Sequence, residues 1–183
     1  MSMKTRILAL TLAALPFAAM AGPTNTEVVE FYNTTTNHYF VIATAADAIF
    51  IESGRAGPGW VGTGRSFSAW LDESKAAGGT ATVYRFYSAG ANSHFYTARE
   101  DEIELLKRLE ADERRVAQAS GARILGWQLE GKAFGIQVPV NGACPMGTTA
   151  IQRLYNNGIL SGEGSNHRYV DAAGLAALMT DRA

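Results

Sequence analysis

One pattern constrains this chain more than any other: Val83-Tyr84-Arg85-Phe86-Tyr87, followed by Ser93-His94-Phe95-Tyr96-Thr97. It returns upstream as Val29-Glu30-Phe31-Tyr32-Asn33 with Asn37-His38-Tyr39-Phe40-Val41. It returns downstream as Gln152-Arg153-Leu154-Tyr155-Asn156 with Asn166-His167-Arg168-Tyr169-Val170. The chain holds 3 histidines, and the motif alignment gives each the same place in its copy. Such self-similarity is the signature of a repeat architecture, in which each copy is one supersecondary unit.

The residue types say what the unit is. Val28–Asn33 and His38–Ile42 carry the β-branched and aromatic residues of strands, with turn formers between them, so a β-hairpin is expected. Thr44-Ala45-Ala46-Asp47 has the spacing of a capping box, and Ala48 to Ile51 supply a short apolar helix. Gly54 and Gly57-Pro58-Gly59 stop it. Trp60 then opens a strand-like segment to Phe67, in which Gly62 and Gly64 suggest a turn and hence a second hairpin. The next copy repeats the plan: strand Val83–Tyr87, strand His94–Thr97, capping box Thr97-Ala98-Arg99-Glu100. A long helix follows, with Ile103, Leu106, Leu109 and Val116 on one stripe and its end at Ser120-Gly121. Trp127 opens the second closing segment.

The two closing segments agree position by position. Trp60 matches Trp127, Gly64 matches Gly131, Arg65 matches Lys132 and Phe67 matches Phe134. In the third copy Asp171 caps a last helix, Ala172–Met179, and no Trp-led segment follows it. The expected fold is therefore α+β and β-rich. It has three pseudo-repeats of hairpin–helix–hairpin around one core, at about residues 28–70, 83–138 and 150–183, the third truncated. The connector Lys75–Thr80, with Gly78-Gly79, is expected to be exposed.

The first residues read as an export signal. Lys4 and Arg6 precede an apolar run from Ile7 to Ala19, and Ala19-Met20-Ala21 is a cleavage site. The run is too short for a bilayer, which needs about 20 residues. Residues 1–21 are thus expected to be removed, leaving 22–183 as one domain, secreted or periplasmic and with no membrane attachment. The full chain carries a net charge of −1. Without a basic stripe there is no footprint for nucleic acid. Arg108, Arg114 and Arg115 share a helix with Glu104, Glu110 and Glu113, which describes a solvated face. Cys144 is the only cysteine, so no internal disulfide is available.

These residues resemble a family of exported bacterial modules of unknown function. Its units carry Tyr-Arg-Phe-Tyr-Asn, His-Phe-Tyr-Thr, a capped helix, and Gly-Trp … Glu-Gly-x-Ala-Phe. The second unit matches closely, through Tyr84 to Tyr87, His94 to Thr97, Gly126-Trp127 and Glu130 to Phe134. The resemblance covers about residues 28–183. It implies three complete units and a late cysteine partner for the one in Gly142-Ala143-Cys144-Pro145. This chain carries neither.

Two groups of side chains are candidates for function. Strand alternation puts Tyr84 and Phe86 on one face and Arg85 and Tyr87 on the other. One face is core; the other presents Arg85, Tyr87 and His94 together, with Arg153, Tyr155 and His167 at the matching places and Tyr32 and His38 in the first copy. Rings beside a guanidinium suit a sugar or another flat polar ligand. The bland reading is that these side chains pair across the hairpin and finish the sheet. Glu30 stands where the other copies have arginine, which argues against three identical sites. The alternative is a hydrolase or metal site made by His38, His94 and His167, since three imidazoles and a water form a catalytic zinc arrangement. No acidic residue repeats beside them. No Gly-x-Ser-x-Gly or phosphate loop is present, and no cofactor is expected. The expectation is a non-catalytic binding module whose partner is a cell-surface or matrix glycan. A structural or interaction domain without a small ligand is the further alternative.

Overall fold

A computed structural model describes residues 25–71, 80–158 and 164–180. The expected export signal, most of the Lys75–Thr80 connector and residues 159–163 lie outside the described residues. The elements run β1 (Asn25–Asn33), β2 (His38–Ile42), α1 (Ala45–Glu52), β3 (Trp60–Trp70), then β4 (Thr80–Ser88), β5 (Ser93–Thr97), α2 (Glu100–Ser120), β6 (Trp127–Gln137). The last three are β7 (Gln152–Tyr155), β8 (His167–Val170) and α3 (Ala172–Thr180). The fold is α+β and β-rich. A mainly antiparallel six-stranded sheet has the order β2-β1-β3-β6-β4-β5, and β7-β8 forms a separate two-stranded sheet.

The expected second hairpin in each unit is a single long strand. Trp60 to Trp70 runs antiparallel to β1, and Trp127 to Gln137 runs antiparallel to β4. The glycines that suggested a turn sit at register shifts instead. Opposite Val29–Phe31 the register jumps from Ser66 to Gly62, with Gly64 at φ 73° inside the jump. Gly131, at φ 140°, lies beside the shift opposite Arg85/Phe86. A bulge absorbs the extra residues and bends the strand without reversing it.

The hairpin turns fix register. Asn37 and Asn92 both take a left-handed backbone, with φ of 58° and 46°. Asparagine tolerates that region better than other non-glycine residues. Counted from these turns, Tyr32 pairs with Tyr39, Tyr87 with His94 and Tyr155 with His167. His38 therefore matches Ser93 and Asn166, not His94 and His167. The expected equivalence of the three histidines is off by one in the first hairpin, and one residue of register turns a side chain to the other face. Burial agrees, since His38, Ser93 and Asn166 are all buried.

Three apolar clusters hold the elements together. Val28, Val41, Val83, Tyr96 and Phe134 form the central one, with Tyr169 packed against it. Phe31 packs with Ile42 and Ile51 under Trp60. Phe86, fully buried, packs with Ile103 and Leu106 beside Trp127. The α2 stripe is buried only in its first half, because Leu109 and Val116 are 51% and 61% exposed. Its second half is tied down by polar bonds instead. Glu110 accepts from the Leu129 amide, and Glu113 accepts from the amides of Leu125 and Gly126.

The helix starts differ from expectation once. Thr44 caps α1 and accepts from the Asp47 amide, and Asp171 accepts from the Gly174 amide at the start of α3. Thr97, however, does not cap α2, which begins after Arg99 with no side-chain cap. The Thr97 hydroxyl donates to Glu102 instead, and Glu100, Asp101 and Glu102 lie in the first turn, where the helix dipole favours acids.

Candidate functional site

The hairpins meet along β2, β5 and β8, and each meeting follows one plan. Phe40 of the first hairpin lies on the second, 5.2 Å from the Arg85 guanidinium and 4.7 Å from the His94 ring. Phe95 of the second lies on the third, 4.6 Å from Arg153 and 5.0 Å from His167. Arg168 holds the corresponding place in the third hairpin and lies on the first. It donates to both Glu30 oxygens at 3.0 and 2.8 Å, and its guanidinium sits 4.1 Å over the Tyr39 ring. The three hairpins thus form a closed ring of joints.

Each arginine in this ring has an acid. Arg85 bonds Glu130 at 2.6 Å, with His94 at 3.4 Å from the same oxygen. Arg153 grips Glu102 through two bonds of 2.8 and 2.7 Å. That bidentate pairing with Arg153 holds the Glu102 carboxyl below its ordinary range, against burial, with Thr97 adding a further bond. Burial works to raise Glu130, but His94 and Arg85 outweigh it and leave that carboxyl lowered. Burial disfavours the charge of Arg168, yet its bonds to Glu30 prevail and its affinity for the proton is raised.

A tyrosine relay runs beneath the ring. The buried Tyr96 hydroxyl donates to the Val41 carbonyl at 2.8 Å. The Tyr169 hydroxyl donates to the Tyr96 carbonyl at 3.0 Å and accepts from the Tyr96 amide at 2.7 Å. Burial raises the pKa of both phenols, so they stay neutral donors. Val41, at the matching place in the first hairpin, has no hydroxyl to continue the relay.

The predicted ligand residues divide as follows. Arg85, Tyr87 and His94 come together with Glu130, the ring centroids of Tyr87 and His94 being 5.0 Å apart. Arg153, Tyr155 and His167 come together with Glu102, and the Tyr155 and His167 rings stack at 4.9 Å and 28°. Tyr32 pairs with Tyr39 at 4.9 Å, not with His38. His38 is turned away and buried against the third hairpin, its Nε2 beside Gly164 and without a hydrogen-bond partner among the described residues. Burial lowers its pKa, and it lowers that of His167 to about 4, with the Arg153 charge adding to the effect. The histidines sit neither in one shared centre nor each inside its own unit: His94 and His167 belong to the joints. Among the described residues no group of three or more His, Cys, Asp or Glu is placed to hold a metal ion. Cys144 is free and exposed. Sequence reasoning missed Glu30, Glu102, Glu130, Tyr39 and Arg168. The signal for one joint was present: arginine gives way to glutamate at Glu30 where phenylalanine gives way to arginine at Arg168.

Two concavities accompany these joints, one apart from them and one beside the Arg168–Glu30 pair. An open groove of about 580 Å³ at the end of α2 is lined by Arg114, Gln118, Arg123, Gln128 and neighbours. A crevice of about 20 Å³ lies between Glu30, Phe67 and Tyr169. Among the described residues no helix is long and apolar enough to cross a membrane. The family model of a domain of unknown function, DUF5648, matches residues 11–110, just over half of the chain. No curated protein and no solved structure matches it.

Proposed function

The chain belongs to the DUF5648 family, and on that premise we propose that it is an exported, non-catalytic binding module of bacterial origin, built of three related units, whose ligand is a cell-surface or matrix glycan. The observation that carries this reading is the Tyr155–His167 stack beside the Arg153–Glu102 pair. Tyr155 is 46% exposed, and the ion pair borders it. An aromatic face accepts the C–H face of a sugar, while guanidinium and carboxylate edges bond its hydroxyls. The Tyr87–His94 pair with Arg85 and Glu130 repeats the arrangement in a more enclosed form. The leader read in residues 1–21 supports an extracellular or periplasmic address.

A glycan array probed with the folded chain tests the proposal. Selective hits that weaken roughly tenfold in Tyr155→Ala, a loss of about 1.4 kcal/mol, are expected. A folded sample with no hits, or with hits that Tyr155→Ala leaves unchanged, overturns it. Amino-terminal sequencing of protein recovered from the periplasm or medium is expected to start at Gly22. Recovery of uncleaved chain in the cytoplasm overturns the export reading.

A further inference from the structure

The six-stranded sheet ends in β2 and β5, and side chains meet outward backbone groups of both. At β2 the Tyr39 amide donates to Asn166 Oδ1, the Asn37 carbonyl accepts from Asn166 Nδ2, and the Val41 carbonyl accepts from the Tyr96 hydroxyl. At β5 the Tyr169 hydroxyl accepts from the Tyr96 amide and donates to the Tyr96 carbonyl. Asn166 and Tyr169 belong to the third hairpin, which shares no ladder with that sheet among the described residues. The hairpin therefore covers two strand edges through its side chains, and such edges, uncovered, are templates for pairing with another strand. A mostly exposed connector, residues 138–151, links it to β6.

Two imidazoles stand in the seams of this cover. Each has a ring nitrogen that is buried and without a hydrogen-bond partner among the described residues, Nε2 of His38 and Nδ1 of His167. His38, on β2, lies against Gly164 of the hairpin, and the titratable group facing it is His94 of β5, which disfavours a second positive charge. His167, on the hairpin, packs on Phe95 of β5 and Trp127 of β6. Arg153 and Tyr155 face it from β7, and Glu102 faces it from α2. A proton added at either buried nitrogen finds no acceptor in the closed seam, whereas water supplies one in the open seam.

We propose that the third hairpin is an acid-released cap: proton uptake by His38 and His167 lifts it from the edges of β2 and β5 while the six-stranded sheet stays folded. Burial is the chief influence on both rings, and it holds His167 at about 4 in the closed cap, against an ordinary value of 6.5. The open form therefore binds the proton first. As pH falls below about 6.5, the ratio of open to closed rises by up to roughly tenfold per pH unit for each ring. For His167 the rise amounts to about 300-fold in all, from the two and a half units between the two values. The Arg153–Glu102 and Arg168–Glu30 pairs oppose release. Arg153 holds the Glu102 carboxyl low, so proton uptake there adds to opening only below about pH 5. Between about pH 6.5 and 5 the histidines are the trigger.

Hydrogen exchange of the intact protein between about pH 6.5 and 5, corrected for the effect of pH on an unprotected amide, tests the cap. The amides of Tyr39, Tyr96 and His167–Val170 are expected to lose protection roughly tenfold or more, with at least about one proton taken up per opening. The amides of β4, which lies between β5 and β6, are expected to keep theirs. His167→Phe keeps a ring on Phe95 and is expected to remove most of the pH dependence. His38→Asn, which copies Asn166 at the matching place, is expected to remove the rest. No ligand enters the experiment, so the cap and the glycan reading fail separately. Protection that does not change with pH overturns the proposal. So does protection lost equally on β4, which would mean that the whole sheet opens. A double variant that opens as the wild type does overturns it as well, and where that variant does not fold, the wild-type proton count and the map of protection decide.

Discussion

Phe40 and Arg168 hold one register position in two different hairpins, and each reaches into the next hairpin. Phe40 lies between Arg85 and His94. Arg168 lies between Glu30 and Tyr39. The backbone geometry is shared, but the forces differ. The phenylalanine joint rests on apolar area and a cation over a ring, which tolerates small shifts. The arginine joint takes two charges out of water and needs both of them. Glu30 is 4% exposed, and the bidentate Arg168 guanidinium offsets the burial of its charge. The ring of hairpins is therefore closed by the joint that is least forgiving of a single change.

That difference predicts the largest effect. Glu30→Leu strands the Arg168 charge and is expected to cost about 3 kcal/mol in urea unfolding. Adding Arg168→Leu is expected to recover stability to within about 1 kcal/mol of the starting protein, because two apolar groups replace two charges. A single change that costs under about 1 kcal/mol, or a double that recovers nothing, would sink the closed-ring reading. By contrast, Arg85→Leu frees Glu130, a third exposed, to rehydrate, and the expected cost is about 1 kcal/mol.

Titration separates the joints next. Phe40 packs on His94 and Phe95 on His167, whereas Arg168 packs on Tyr39 at the corresponding place. Burial lowers the His167 pKa to about 4, whereas the unfolded chain titrates near 6.5. Above 6.5 both states are neutral and nothing changes. As pH falls from about 6.5 to about 4, the unfolded state binds a proton that the folded state refuses, so stability falls. The slope is at most about 1.4 kcal/mol per pH unit for this one proton. His38 is shifted in the same direction, chiefly by burial. The carboxyls at the joints, Glu102 and Glu130, are held low and lose their contribution only as pH falls through their lowered values. Unfolding midpoints followed from pH 7 to 4 should therefore decline, and His167→Phe should flatten the decline. An unchanged slope in that variant would remove the histidine from the account.

The relay beneath the joints gives a smaller effect. Tyr96→Phe leaves the Val41 carbonyl without its donor in the central cluster, at an expected cost of about 1–2 kcal/mol. Tyr169→Phe removes one bond given and one accepted, and is expected to cost a similar amount. Equal midpoints for wild type and Tyr96→Phe would show that the relay is incidental.

Residue types revealed the hairpins and hid their joints, for physical reasons. His38–Ile42 was legible as a strand because β-branched and aromatic residues crowd it. Gly121 was legible as the end of α2 because a left-handed residue, here at φ 72°, closes the last turn. Gly64 and Gly131 misled, since a glycine that bends a strand reads like one that reverses it. The choice depends on the opposite strand, which a local pattern does not contain. The register of His38 misled for a related reason. Aligning histidines is natural, but turn geometry sets register, and the asparagines Asn37 and Asn92 mark the matching turn positions. The joints depend on contacts between hairpins. Their only local trace was the paired exchange at Glu30 and Arg168, and it acquires meaning once the two side chains are seen to meet.

The smallest expected effect lies at the hairpin tips, where the first two hairpins differ from the third. Tyr32 donates to Asn37 at 2.7 Å and Tyr87 to Asn92 at 2.9 Å. Each bond holds the side chain of the residue that takes the left-handed conformation. Tyr155 has no such asparagine and instead accepts a bond of 3.3 Å from Ser165. The tips are exposed, so water replaces a lost bond at little cost, and Tyr87→Phe is expected to lower stability by about 0.5 kcal/mol. Tyr155→Phe is expected to change it by less than that, since the longer Ser165 bond restrains no left-handed residue. Hydrogen exchange at Ala91–Ser93 is expected to quicken in Tyr87→Phe, because the turn loses its latch. If the two variants prove equal in both stability and exchange, the latch is no part of what sets register. The asparagine backbone at Asn37 and Asn92 would then bear that role alone, and Asn92→Ala would be the change that lets the second hairpin slip.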